Sequence, residues 1–232
     1  MCRRFTLAKT AEQVANDFPE LDVIPQIAPR YNIAPVQPVV TVLNIRPKKL
    51  DLTQWGLIPG WAEDATRGHA MINTFSDKLR DNKPGLRRLL KRKRCLILAD
   101  GWYTWTSIKG QKVKQPYYVT LASGRTFAFA GLFDEWHDKE GGYLITSTIL
   151  TTRPNVAVRT IAETMPVVLS DAQVSHWVDP WFDDQRWLLN ALAPCDPDLL
   201  RVTGVSTYVN SLRHDDPKCI HPMDVLGQGE LF

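Results

Sequence analysis

The chain opens "MCRRF", a cysteine directly behind the initiator methionine with two arginines after it. Methionine is removed when the second residue is small, and cysteine is small enough. Cys2 would then carry a free α-amine beside its own thiol. Such a 1,2-aminothiol is a specific reagent for aldehydes. The amine, with an ordinary pKa of about 8, forms a Schiff base, and the thiol closes a five-membered thiazolidine on the same carbon. A second chemistry is open to the same atoms: the amine can serve as base for the thiol, as in an N-terminal-nucleophile hydrolase. Position alone does not separate these readings from a cysteine without a reactive part.

The other three cysteines are Cys95, Cys195 and Cys219. Cys95 lies in the apolar run "CLILA" and reads as a buried, inert thiol. No pair has the C-x-x-C spacing, and no histidine stands at a ligand distance from them, so zinc is not indicated. No signal peptide or apolar stretch of transmembrane length is found, which predicts a cytoplasmic, reducing location and a free thiol at Cys2.

The elements that must position Cys2 are mostly strands. Residues 39–45, 50–57, 95–105, 117–122, 127–133 and 143–151 are rich in β-branched and apolar side chains, with "RPKK", "SGRT" and "DKEGG" as turns. A last strand is expected over 201–209. Short helices are expected over 10–18, 84–93, 171–178 and 183–193. Thr10 with Gln13 and Ser170 with Gln173 match the capping box. A proline-rich segment from Pro19 to Pro38 should run extended and irregular. There is no βαβ rhythm. The fold class is α+β: a single β-rich domain, mainly antiparallel, with short flanking helices, a core over about 2–220 and a tail over 221–232.

The chain has 232 residues, 44% hydrophobic and 23% charged, an ordinary globular balance for one domain. A net charge of +3 does not by itself signal nucleic acid. The eight tryptophans suit either a core or stacking faces for bases. The run "RRLLKRKR" over 87–94 is read either as a solvated helix face or as a phosphate-contacting surface.

Seven motifs then occur in order: "MCRRF", "RYNIAP", "WGLIPGWA", "MIN", "LADGWYTW", "MPVVLS" and "VSTYVNS". Together they resemble the SRAP family, the SOS-response-associated-peptidase or abasic-site-processing proteins, over nearly the whole chain. The resemblance implies a β-rich domain with a groove for single-stranded or junction DNA. It also implies an exposed N-terminal cysteine that captures the aldehyde of an abasic site as a thiazolidine cross-link. A peptidase activity is implied by the family name. Residue by residue, Cys2 matches the nucleophile and Asn73 the asparagine that hydrogen-bonds near the lesion. Arg4 and Arg87 fall at backbone-contacting positions, Trp61 at an aromatic lying against DNA, and Thr151 at a threonine lining the pocket. A monomer without metal or organic cofactor is expected.

The departures from the family pattern cluster at those positions. Arg3 replaces the glycine after the cysteine. Phe75 stands for an arginine that contacts DNA, and Asp77 for a longer carboxylate. Thr104 occupies the position of the catalytic glutamate. Ala162 and Thr164 occupy those of a histidine and an arginine. Thr104 cannot exchange a proton near neutral pH, and a positioned acid–base group contributes about 10²–10⁴-fold. The aminothiol keeps its intrinsic reactivity, so the resemblance implies slow cross-linking with impaired catalysis. Arg3 adds a charge beside the nucleophile, and the ring of Phe75 could stack on a base. Two other readings stay open: a non-covalent DNA-binding pseudoenzyme, and an N-terminal-cysteine peptidase or hydrolase.

Overall fold

The computed structural model describes residues 2–19, 27–45, 50–65, 71–81 and 84–223. In chain order its elements begin with β1 (Arg4–Leu7), α1 (Ala11–Asp17), β2 (Arg30–Ile33), β3 (Pro38–Leu43), β4 (Leu50–Trp55) and β5 (Asn73–Phe75). Then come α2 (Asp77–Arg80), α3 (Pro84–Arg92), β6 (Arg94–Ala99), β7 (Gly101–Thr106), β8 (Gln115–Leu121), β9 (Phe127–His137) and β10 (Tyr143–Thr152). The chain ends with β11 (Met165–Pro166), β12 (Val168–Leu169), α4 (Asp171–Trp177), α5 (Gln185–Asn190) and β13 (Leu200–Gly204).

One sheet has the order β13-β8-β7-β1-β2. In the other, β10, β4, β3, β6 and β9 pair in sequence and β9 pairs back to β10, closing a small barrel. Among the described residues the pairings are antiparallel except β10 with β4 and β10 with β5. This is the expected mixed, β-rich α+β class.

Residues 95–105, expected as one strand, form two in different sheets. The break is at Asp100–Gly101. The Asp100 carboxylate accepts from the Thr6 hydroxyl and from the amides of Ala8 (2.6 Å) and Lys9 (3.0 Å), which ties the crossover to the end of β1. A Cβ on Gly101 would lie 2.3 Å from the Tyr118 ring, so only glycine lets the chain pass there. Residues 201–209 also divide, into β13 and a 3₁₀ turn over Thr207–Asn210 that Ser206 caps. The proline-rich segment is more regular than expected, since it contains β2 and the start of β3. The expected turn at 46–49 and most of the tail lie outside the described residues. Both capping boxes contribute: Gln13 Oε1 accepts from the Thr10 amide (2.9 Å), and Gln173 Oε1 from the Ser170 amide (2.9 Å).

The two sheets share one apolar core. Phe5 on β1 meets Trp55 edge-on at 5.1 Å and Phe129 at 5.7 Å; Trp102 on β7 meets Phe127 at 5.9 Å. Such buried rings are worth about 3–5 kcal/mol each on truncation to alanine. They fix β1 and β7 against the barrel, and β1 carries Cys2 at its head. One buried side chain ties α3 and α4 to the barrel. The Arg94 guanidinium donates to the carbonyls of Leu90, Lys91, Trp177, Asp179 and Phe182 at 2.7–2.9 Å, joining the ends of α3 and α4 to β6. Burial lowers its pKa to about 10.

Candidate functional site

Strand pairing brings the distant segments together. β1 and β7 are antiparallel with Arg4 opposite Tyr103, so the next step of the register sets residue 3 beside Thr104. β5 lies parallel to β10 with Asn73 opposite Ile149 and Phe75 opposite Thr151. From this edge the Asn73 side-chain amide donates to the Cys2 carbonyl at 2.6 Å. Cys2 is thereby tied to the barrel by its backbone as well as by its place in the core.

A cleft of about 640 Å³ is lined by Arg3, the residue after Cys2, and by Thr104, Trp105, Lys114, Ile161, Ala162 and Glu163 among others. Thr104 is buried, and its hydroxyl donates to the Ile161 carbonyl at 3.4 Å across the cleft. The opposite wall, 155–163, is built on Asn155. Its carbonyl accepts from the amides of Val158 and Arg159, its Oδ1 accepts from the Ala157 amide, and its side-chain amide holds the Cys195 carbonyl at 2.9 Å. Ala162 follows in the same turn, with its amide on the Val158 carbonyl.

Cys2 is 2% exposed, whereas the family resemblance implied an exposed nucleophile. Burial pushes its thiol up to about 12. Its Sγ has one long contact, 3.8 Å to the Arg4 carbonyl. The sulfur is therefore held as a thiol, and any reaction through it has to remove that proton.

The remaining expected residues divide. Arg3 is exposed on the cleft wall. Arg4 faces the other way: its guanidinium donates to Asn32 Oδ1 (2.9 Å) and to the carbonyls of Val209 (3.1 Å) and Asn210 (3.4 Å), and it lies over the Trp105 ring. Thr151 is buried, and its carbonyl takes the Ser76 amide at 2.8 Å. Phe75 is half-buried beside it. Trp61 is 71% exposed and lines a separate cleft with Met71, Leu86 and Arg88. Arg87 lines a third, between α3 and α5, and donates to Gln185 Oε1 at 2.7 Å. The structure thus joins Cys2, Arg3, Asn73, Thr104 and Ala162, and keeps Trp61 and Arg87 in clefts of their own.

Two positioning residues went unread in the sequence, Asn32 and Asn155. Asn32 lies inside "RYNIAP" and gathers the carbonyls of Val209, Ser211 and His214 around its amide. A buried asparagine that ties distant loops has no local signature. Among the described residues, four buried side-chain atoms have no partner: Asn44 Nδ2, Thr126 Oγ1, Asn73 Oδ1 and Thr164 Oγ1. The last two belong to the residues around Cys2 and Ala162. Among the described residues no cluster of three or more His, Cys, Asp or Glu could hold a metal ion, and no helix is long and apolar enough to cross a membrane.

Comparison with known proteins identifies the family. Residues 1–212 match the family model described as SOS response associated peptidase (SRAP). The abasic site processing protein YoqW of Bacillus subtilis (strain 168) is 38% identical over 223 residues, covering 95% of this chain and 99% of that relative. The abasic site processing protein HMCES of Pongo abelii is 28% identical over 207 residues, covering 77% of this chain and 58% of that protein. A crystal structure of a protein from Bacteroides thetaiotaomicron shares the fold, with a TM-score of 0.84 at 21% identity over 96% of this chain and 100% of that one. With a cysteine-headed strand, an asparagine on its carbonyl and a cleft beside it, the chain belongs to the SRAP family of abasic site processing proteins.

Proposed function

We propose that this protein binds single-stranded or junction DNA and captures the aldehyde of an abasic site through Cys2, slowly, as a thiazolidine cross-link. The Asn73–Cys2 bond carries the reading, because it holds the reactive residue to the barrel, one residue before the cleft that Arg3 lines, rather than on a loose terminus. The cleft wall supplies charge for a phosphodiester backbone: Arg3, Lys114 and Arg159 line it and none is paired among the described residues. Phe75 and Trp61 offer rings for bases.

The reaction needs Cys2 with a free α-amine. The amine adds to the aldehyde carbon, water leaves, and the sulfur adds to the resulting C=N bond. One C–N and one C–S bond form, one C=O bond is lost as water, and the thiol proton ends on the ring nitrogen. Asn73 holds the Cys2 carbonyl and so orients the amine and thiol. Thr104 and Ala162 line the cleft without a group that moves protons, so neither of these two positions supplies an acid or a base.

The test is a denaturing gel after incubation with abasic single-stranded DNA, together with the intact mass of the protein. A shifted band that is absent in Cys2→Ala, from a protein lacking Met1, supports the reading. A mobility shift on native gels alone, with no covalent band, would assign a non-covalent DNA-binding protein instead.

A further inference from the structure

Among the described residues, Glu163 is the one carboxylate lining the Thr104 cleft. Among the described residues its side chain has no hydrogen bond and no ion pair, although Arg3, Lys114 and Arg159 line the same cleft. Two partly buried carboxylates elsewhere do meet cations, Asp134 with Lys93 (2.8 Å) and Asp17 with Arg125 (3.1 Å). A lone carboxylate in a cleft for a polyanion weakens binding through repulsion, so charge complementarity gives no reason for it. Its place does. It lies two residues from Ile161, whose carbonyl receives the Thr104 hydroxyl, and next to Thr164, whose buried Oγ1 has no partner.

Chemistry supplies the second half. Capture of an aldehyde by Cys2 requires three proton movements: off the amine, onto the departing hydroxyl, and off the sulfur. Burial holds that sulfur as a thiol. Cys2 has no base as a hydrogen-bond partner; Asn73 and Thr104 do not exchange protons near neutrality. The other titratable groups of the cleft are cations that, while charged, accept no proton.

Resting on the Cys2 reading above, we propose that Glu163 is the proton-transfer group of this cleft. Its carboxylate takes the thiol proton as sulfur adds to the Schiff base and returns it to the nitrogen of the closing ring. In the preceding steps the same carboxylate takes the two amine protons one at a time and delivers each to the carbonyl-derived oxygen, which leaves as water. No proton is gained or lost over the cycle, and no co-reactant is required.

The test measures single-turnover cross-linking on abasic single-stranded DNA at saturating protein, with binding followed separately. Glu163 is exposed, so its replacement leaves the fold intact. Glu163→Ala and Glu163→Gln are expected to slow cross-linking at least about tenfold, a cautious figure for an acid–base group, while DNA binds as tightly as before or more tightly. Added formate should restore the Glu163→Ala rate in proportion to its concentration, because a small carboxylate can enter the space left. Unchanged rates in both variants overturn the proposal while leaving the Cys2 reading standing. So does a slowed Glu163→Ala variant that formate does not rescue, which assigns Glu163 a structural part. Absence of any cross-link in the unaltered protein sinks the Cys2 reading itself, and this proposal with it.

Discussion

At the junction of α3, α4 and β6, one buried arginine gives its donors to five carbonyls. In the cleft between β7 and residues 159–163, three cations and a carboxylate stand without partners among the described residues, and Asn73 Oδ1 and Thr164 Oγ1 nearby are likewise buried unsatisfied. The first region is closed to water, so its charge has to be met by protein atoms. The second is open. Its cations are hydrated in the free protein and can exchange water for phosphate oxygens at little cost. Saturation marks what holds the fold; incompleteness marks where a ligand completes it.

The comparison breaks most sharply at Arg94. Replacing it by methionine keeps much of the apolar stem but leaves the five carbonyls without their donor. Losing the charged member of a buried polar network costs on the order of 3–5 kcal/mol. Urea unfolding of Arg94→Met should show that loss in midpoint. A loss within about 0.5 kcal/mol, the range of an ordinary surface change, would mean that water or rearranged backbone serves those carbonyls as well as Arg94 does.

How far sequence reached follows the same division. The strands were legible because β-branched and apolar runs bounded by turn residues are local signals. The break of 95–105 was not, since "LADGWYTW" is apolar on both sides of Asp100–Gly101. What splits it is the distant end of β1, whose Thr6, Ala8 and Lys9 bond Asp100, and the distant ring of Tyr118 over Gly101. At the site, Cys2, Asn73 and Thr104 were legible through motif order. The burial of Cys2 was not, because position 2 suggests fraying while the core reaches up to it. Glu163 sat beside a position noted for a missing histidine, and only the cleft reveals it as an unpaired carboxylate.

Arg3 and Arg4 bring the two regions within one residue of each other. Neighbouring positions on an extended strand face opposite ways; Arg3 lines the cleft while Arg4 turns to Asn32 and the Val209–Asn210 carbonyls. Arg4→Ala should therefore lower stability by about 1–3 kcal/mol, the cost of leaving partly buried acceptors unmet. Arg3→Ala should leave the unfolding midpoint unchanged. Instead it should weaken single-stranded DNA binding and reduce the salt slope by about 0.7, one phosphate contact. Equal effects of the two on stability, or on the salt slope, would erase the distinction between saturated and open charge.

The smallest expected effect lies at the edge of the scaffold, where Asp17 closes α1 onto the start of β9. Partial burial works to raise its pKa, but bonds from the Thr126 amide (2.7 Å) and the Arg125 guanidinium (3.1 Å) outweigh it and hold the carboxyl below its usual value. A carboxyl with a depressed folded value stabilises the fold in its ionised form. The contribution is complete above the unfolded value of about 3.9 and is lost as pH falls through the folded value. Asp17→Asn should thus cost about 1 kcal/mol at neutral pH, the scale of one hydrogen bond. The difference from the unaltered protein should shrink as the pH is lowered below about 4, because protonation then removes from Asp17 the charge that the asparagine already lacks. Because Arg125 is half exposed and also meets Asp171, added salt should erode part of the neutral-pH difference. The share owed to the Thr126 amide should survive it. A gap between the two proteins that stays constant from neutral to acid pH would show that Asp17 acts through packing, not charge, and would move it out of the saturated-charge scaffold.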